Sequence, residues 1–196
     1  MRGIVVYRVL AISLVFIILA ATSYFLLTRT AGQNELIVHT AVPQFTFVNQ
    51  DSVAFGSDNM SGKITVVDFI FTRCKGPCPL MAENMRVVYD NFYGNDKVQI
   101  VSISVDPDYD SLEVLKQYAI DKGVTDDRWN FLRADMESVV DVCENGFKLA
   151  AEDLPGAHST KFVLVDELLN IRGYYSGVEI ASVEQLIDDI KVLSKE

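Results

Sequence analysis

The sequence predicts an α/β fold in which helices cover both faces of a central mixed sheet. Short apolar runs rich in β-branched residues alternate with longer stretches whose apolar residues recur every three or four positions. Along the chain the order is two short strands, then βαβαβα, then two strands and a helix. Such alternation favours a largely parallel sheet between two layers of helices.

An uncharged apolar segment precedes this domain. Residues 9–28 carry no charge and are mostly Val, Leu, Ile, Phe or Ala, and a helix of about 20 residues spans roughly the 30 Å hydrocarbon core of a bilayer. Arg2 and Arg8 precede the segment and Arg29 follows it, which gives a modest bias towards a cytoplasmic N-terminus. A cleaved signal peptide is the alternative, but the run is longer than a usual signal-peptide core and lacks a clean cleavage site. No cysteine follows the run closely, which argues against a lipid-modified N-terminus.

These observations predict three parts of the chain. Residues 1–30 form an N-terminal membrane anchor, residues 31–40 a short linker, and residues 41–196 the α/β domain. The chain would be single-pass in the inner (cytoplasmic) membrane, with its C-terminal domain on the periplasmic side. The first 30 residues contain three Arg and no acid, so the remainder has 14 Lys and Arg against 27 Asp and Glu, a net charge of −13. That charge argues against nucleic acid as a partner.

The first predicted strands are short, and the third is buried. Aromatic and other residues alternate over residues 42–48, and Pro43 confines this strand to a sheet edge. Residues 53–55 return after a turn as a second short strand. The run at residues 64–71 is nearly continuously apolar and is broken by Asp68, which is typical of a buried parallel strand.

Helices and strands then alternate. After Cys78, apolar residues separated by four, three and four positions predict a helix. A strand follows at residues 98–105. The next helix is predicted to begin at Asp110, with Glu113 completing a capping box, and to end at Gly123.

The last third of the chain completes the pattern. A strand at residues 129–132 precedes a helix over residues 135–147, and Asp135 is the predicted N-cap of that helix. A loop then leads to a predicted hairpin of residues 162–165 and 171–175. The final helix is predicted to start at Ser182 with a capping box. A hairpin followed by a closing helix matches the thioredoxin-like layout.

Two cysteines, Cys74 and Cys78, lie where the buried strand ends and the next helix begins. Gly76 and Pro77 form a turn signal between them. A position at a strand end and close to a helix N-terminus favours exposed thiolates, which attack disulfides and bind metals. If the segment is helical, the i and i+4 positions place both sulfurs on one face. The spacer is one residue longer than in C-x-x-C redox motifs, and a structural disulfide across so short a loop would stabilise little.

A metal would need further ligands, and the chain contains two histidines. His39 lies next to the linker and is expected to be solvated. His158 lies in a loop before a predicted strand, and loops at strand ends cluster near the turn that holds Cys74. Two thiolates and one imidazole suit Cu(I) and, with another ligand, Cu(II). A closed structural zinc site would want four ligands, and the sequence offers no obvious fourth.

Two further residues, Cys143 and Asp106, are of types that could take part in a thiol or metal site. Cys143 lies within a predicted helix and is expected to be a partly buried structural thiol. Asp106 follows the end of a strand, in the run Asp106-Pro107-Asp108-Tyr109-Asp110. It is expected to face the cysteine turn and to place a carboxylate near the metal or near a docking partner.

Together these motifs resemble the Sco/SenC family of membrane-anchored, thioredoxin-like copper proteins. Residues 71–79 are similar to the family's Phe-Thr-x-Cys-x-x-x-Cys-Pro, and residues 104–110 to its Ser-x-Asp-Pro-x-x-Asp. His158, before the strand at residues 162–165, is similar to the family's His before a Leu-x-Asp strand. The resemblance covers roughly residues 40–195, and the single N-terminal span is shared. Lys75 stands where the family often has Pro, and its charge should favour the Cys74 thiolate.

The resemblance implies a site and a role. Cys74, Cys78 and His158 would bind copper, and the cysteine pair would also be able to form a redox-active disulfide. The implied role is delivery of copper to, or thiol reduction of, the binuclear copper centre of a respiratory oxidase. The partner would be the copper-receiving subunit of that oxidase or another copper protein, and the chain would be a metallochaperone more than a turnover enzyme.

Two other functions stay open at the level of sequence. An exported thiol–disulfide oxidoreductase or thiol peroxidase would use Cys74 and Cys78 without metal and would not need His158. A membrane-tethered binding module would keep the cysteine pair only for structure.

Overall fold

The computed structural model describes residues 13–24, 36–156 and 158–195. The chain divides into two compact units, of which the second begins at Ile37. In the first unit, residues 13–24 form helix α1, whose side chains are exposed.

The predicted anchor is not reproduced by this helix. Among the described residues, no helix combines the length and the apolar character that crossing a membrane requires. Residues 9–12 and 25–28 of the predicted span lie outside the described part of the chain. The anchor, and the boundaries at residues 30 and 40, therefore stay predictions.

In the second unit, seven strands of the described chain form one sheet in the order β2-β1-β5-β4-β3-β6-β7. The strands are β1 (Thr46–Asn49), β2 (Ala54–Gly56), β3 (Ile64–Ile70), β4 (Val98–Ser104), β5 (Trp129–Arg133), β6 (Lys161–Val165) and β7 (Ile171–Ser176). The central β3, β4 and β5 are parallel to one another, and the remaining pairs are antiparallel. This confirms the predicted central mixed sheet and its C-terminal hairpin.

Helices lie on both faces of this sheet. They are α2 (Ser57–Met60), α3 (Cys78–Asn91), α4 (Leu112–Asp121), α5 (Met136–Asp141), which continues into one turn of π-helix (Val142–Gly146), and α6 (Ile180–Leu193). Successive strand residues point to opposite faces. One face of β3 presents Val67 and Phe69 to a core that includes side chains of α5 and the π-turn. The other face carries Asp68 and Ser102, and there Trp129 of β5 contacts Tyr89 of α3 at 5.6 Å between ring centres.

The first strand is shorter than predicted, and it lies between β2 and β5 instead of at the predicted sheet edge. The alternation suggested residues 42–48, but β1 begins at Thr46. Upstream of it the chain runs along the β6–β7 turn, where the Val42 N–H donates to Leu169 O at 2.8 Å. Pro43 has no N–H to donate, which prevents a continuous ladder there.

The predicted start of α4 was wrong by one residue, and this changes the role of Asp110. Ser111 is the N-cap, and its side chain accepts a hydrogen bond from the Val114 N–H. The Asp110 carboxylate points away from the helix and accepts hydrogen bonds from Thr72 and Ser104. A sequence pattern cannot separate these alternatives, because Asp and Ser are both good caps.

The predicted start of the last helix was also wrong. Helix α6 begins at Ile180 with Glu179 at its N-cap, and Ser182 lies inside the first turn. The Ser182 hydroxyl instead accepts a hydrogen bond from the Ser176 N–H at 2.8 Å. A tertiary contact to the end of β7 therefore uses the side chain that the sequence assigned to a cap.

Candidate metal centre

The cysteine turn connects β3 to α3, and its two cysteines differ in position. Cys78 is the first residue of α3 and follows Pro77, whose fixed φ suits a helix start. Cys74 lies in the preceding turn, where its N–H donates to Phe71 O at 3.2 Å. The segment from Cys74 to Cys78 is not a helix, so the condition for placing both sulfurs on one helix face is not met, and the turn brings the two thiols together.

His158 reaches the cysteines because of the register between β3 and β6. These strands are antiparallel, with Thr65 opposite Val165 and Val67 opposite Val163. The start of β6 therefore lies at the carboxyl end of β3, where the cysteine turn begins. His158, three residues before β6, is 7% exposed, and its ring meets that of Phe71 edge-on at 5.4 Å.

The three donors form one group. The ligand atoms of Cys74, Cys78 and His158 all lie within 4.8 Å of one another. All three cysteines of the chain are free thiols in the structure. Cys78 Sγ lies 2.9 Å from His158 Nε2, and His158 Nδ1 lies 3.1 Å from Ser159 O. Because Nδ1–H donates to that carbonyl, Nε2 presents its lone pair to the two sulfurs, as metal-binding histidines do.

Burial shifts the pKa values of Cys78 and His158 in the directions that favour their neutral forms. Burial, and then the hydrogen bond with Cys74, raises the pKa of Cys78 to about 12. Burial lowers the pKa of His158, although hydrogen bonds to backbone carbonyls oppose the shift. The prediction of two exposed thiolates was therefore wrong for Cys78, which is 1% exposed. At neutral pH its thiol donates to the neutral imidazole, and a metal ion would displace that proton.

Asp68 is an ionisable residue near the donor group. In the sequence it was visible only as the polar residue that interrupts the apolar run of β3. It is 1% exposed, and the Ser102 hydroxyl donates to its Oδ1 at 2.6 Å. Burial raises the pKa of Asp68 to about 7, although the hydrogen bond from Ser102 opposes this. The ionised carboxylate also contributes to the raised pKa of Cys78.

Replacing Asp68 by Asn should stabilise the fold at high pH. The folded-state pKa of about 7 lies above the ordinary value of 3.8, so between these pH values the folded protein holds a proton that the unfolded chain has released. Stability therefore falls as pH rises through this window, by up to about 4 kcal/mol at roughly 1.36 kcal/mol per pKa unit. Asn cannot ionise and avoids this loss. The measurement is the free energy of unfolding in urea, at pH 4 and pH 8, of the reduced, metal-free wild type and Asp68→Asn.

The exposed Asp96 provides the control for this experiment. Asp96→Asn should follow the wild-type pH dependence. Parallel stability curves for wild type and Asp68→Asn would show that folding does not raise the pKa of Asp68.

The remaining sequence candidates lie outside the donor group. Asp106 is 4% exposed and faces the cysteine turn as predicted, but its carboxylate binds Arg73, with Nε–Oδ2 at 2.6 Å. His39 is exposed, as expected, and packs edge-on against Tyr174. Cys143 is buried in the core, which agrees with a structural thiol.

The chemistry of the donor set fits copper better than zinc. Two sulfurs and one imidazole nitrogen form a soft set that suits Cu(I). A closed structural zinc site would require four ligands, and the donor group in the described residues has three. Thr72 and Asp110, which meet beside Cys74, are the residues that the sequence did not connect with the site.

Sheet topology and donor group together define a thioredoxin-like protein with three soft donor atoms at its cysteine turn. The SCO1/SenC family model matches residues 33–195. The chain belongs to this family.

Solved structures agree with that membership. A SCO1/SenC family lipoprotein from Bacillus anthracis str. Ames is 31% identical, with a TM-score of 0.75 over 82% of this chain and 98% of that chain. BsSco, described as a Sco family cytochrome c oxidase assembly protein with a disulfide switch, is 28% identical, with a TM-score of 0.74 over 83% and 98%. Bradyrhizobium japonicum ScoI with copper bound shares the fold at 22% identity, with a TM-score of 0.63 over 78% and 99%.

Proposed function

We propose that this protein binds copper through Cys74, Cys78 and His158 and serves in the assembly of a respiratory oxidase copper centre. The convergence of three soft donors within 4.8 Å, from a turn and from a loop 80 residues further on, carries the proposal. The copper bound by ScoI and the role named for the family of BsSco support it. Copper is then the cargo, and the partner is the copper-receiving oxidase subunit or another copper protein.

The cysteine pair also makes copper binding depend on oxidation state. Oxidation joins Sγ of Cys74 to Sγ of Cys78 and removes two electrons and two protons. The sulfurs then no longer offer thiolates, and His158 is left as one nitrogen donor, so copper would be released. The same pair could pass its electrons to a disulfide in the partner, which is the thiol-reductant form of the proposed role.

Copper loading of reduced and oxidised protein tests the proposal. The full chain in detergent, reduced and exchanged into oxygen-free buffer, should bind one copper per chain. After conversion of the pair to the disulfide, copper retained on dialysis should fall at least tenfold, because two of three donors are lost. Thiol titration confirms the redox state. Equal copper in both preparations would contradict the proposed site.

A metal-independent thiol–disulfide oxidoreductase or thiol peroxidase is the second candidate. Cys74 is partly exposed, whereas Cys78 is buried with a raised pKa. This asymmetry suits an attacking and a resolving thiol. Insulin reduction or peroxide turnover that persists without copper and in His158→Ala would favour this function.

We also propose that residues 9–28 anchor the chain in the cytoplasmic membrane, with the domain on the periplasmic side. The uncharged apolar run supports this placement, and the Bacillus anthracis relative is described as a lipoprotein. Alkaline extraction of membranes tests it, since a spanning segment keeps the chain in the pellet.

A further inference from the structure

Two carboxylates hold the first half of the cysteine turn. Asp106 and Asp110, which we call the carboxylate clamp, lie in the connection between β4 and α4. Asp110 is fully buried, and its carboxylate accepts hydrogen bonds from the Thr72 N–H, the Thr72 hydroxyl and the Ser104 hydroxyl. Thr72 lies two residues before Cys74. The buried carboxylate therefore holds the backbone and the side chain of one turn residue.

The second carboxylate binds the next residue of the turn. Asp106 accepts hydrogen bonds from Arg73 Nε at 2.6 Å and Arg73 Nη2 at 3.2 Å. The Arg73 side chain is 56% exposed, and its guanidinium lies 4.8 Å from the centre of the Tyr109 ring. Since the pair is open to solvent on one side, it should contribute less than the buried contact of Asp110.

Backbone pairing does not extend to the residues that the clamp holds. The ladder between β3 and β4 ends near Ile70, whose carbonyl accepts from the Val105 N–H at 2.8 Å. Beyond it, the carboxylates continue the connection to Thr72 and Arg73. The clamp is itself tied together, because the Asp110 N–H donates to Asp106 O at 2.9 Å.

We infer that Asp110, acting through Thr72, is a positioning residue that fixes Cys74 Sγ relative to Cys78 and His158. The helix-cap function is already performed by Ser111, so the buried carboxylate has no other role in α4. A fixed turn keeps the two thiols at a high effective concentration towards each other. It also presents both sulfurs to a metal without a further cost of ordering the turn. The inference deepens the proposed function, but its effect on the thiol pair does not require copper.

The equilibrium of the cysteine pair with glutathione tests this inference in metal-free protein. Glutathione disulfide takes two electrons and two protons from the pair, giving two glutathione thiols and the Cys74–Cys78 disulfide. In Thr72→Val and Asp110→Asn, the equilibrium constant for forming this disulfide should fall by about tenfold, the scale of one lost hydrogen bond to a charged group. Thr72→Ser keeps the hydroxyl and should restore the wild-type constant.

Ser111→Ala provides the matched control. Ser111 is adjacent to Asp110, and this substitution removes the hydrogen bond that the Ser111 hydroxyl accepts from the Val114 N–H. It therefore destabilises α4 without changing a contact of the clamp with the cysteine turn. Its disulfide constant should stay within twofold of wild type. A comparable fall in Ser111→Ala would reduce the effect to general destabilisation and overturn the inference. Unchanged constants in Thr72→Val and Asp110→Asn would overturn it as well, and Thr72→Val alone decides if Asp110→Asn does not fold.

Copper titration of the same variants separates this inference from the proposed function. If wild type binds copper, Thr72→Val should bind Cu(II) about tenfold more weakly and with a changed sulfur-to-copper absorption, and unchanged binding and absorption would count against positioning. If wild type does not bind copper while the disulfide constant shifts as expected, the proposed function fails and the positioning role stands.

Discussion

Cys78→Ser should abolish copper binding at a level of copper that saturates the wild type. A hydroxyl is a hard, protonated donor and a poor replacement for a thiolate towards Cu(I). The remaining Cys74 and His158 would offer one sulfur and one nitrogen. The loss of copper affinity should exceed the roughly 10–100-fold loss that follows when a residue hydrogen-bonded to a metal ligand is removed. Competition with a colorimetric Cu(I) chelator measures the dissociation constant, and Cys74→Ser should behave in the same way.

The third cysteine supplies the control for these variants. Cys143 is also buried, and its Sγ lies 3.6 Å from Leu149 O in the core. Cys143→Ser makes the same chemical change in a comparable environment and should retain wild-type copper affinity. Retention of wild-type affinity by either Cys74→Ser or Cys78→Ser would remove that cysteine from the site. A loss in Cys143→Ser as large as in Cys78→Ser would point to unfolding.

His158→Ala should separate the two oxidation states of copper. Two thiolates alone can still hold Cu(I), which accepts low coordination by soft ligands, whereas Cu(II) requires the nitrogen donor as well. We expect the affinity for Cu(II) to fall by at least about a hundredfold, the upper end of the range seen when a residue that supports a metal ligand is removed. The affinity for Cu(I) should fall by less than about tenfold. Electron spin resonance of the Cu(II) protein should lose the nitrogen coupling that one imidazole gives.

His39→Ala is the matched control, because His39 is exposed and outside the donor group. It should leave both affinities and the spin-resonance spectrum unchanged. Equal Cu(II) binding by wild type and His158→Ala would show that Nε2 of His158 is not a ligand. Since burial lowers the pKa of His158, the imidazole stays neutral at pH 7, and proton competition at this ligand should be weak there.

Much of the fold was predictable from local patterns. The continuous apolar run of β3, the helical spacing after Cys78 and the final hairpin each follow from the periodicity of apolar residues. The starts of α4 and α6 were not predictable in the same way. Asp110 and Ser182 are good caps by residue type, but each side chain is used in a tertiary hydrogen bond instead.

The sequence by itself determined which donors the protein possesses: two cysteines at a strand–helix junction and a histidine before a later strand. Tertiary structure alone decided how they meet, because the antiparallel register of β3 and β6 brings His158 to the cysteine turn. It also decided that Cys78 is buried and that Asp110 holds Thr72. These outcomes depend on which surfaces pack across the sheet, and such contacts between distant residues leave no periodic signal in the chain.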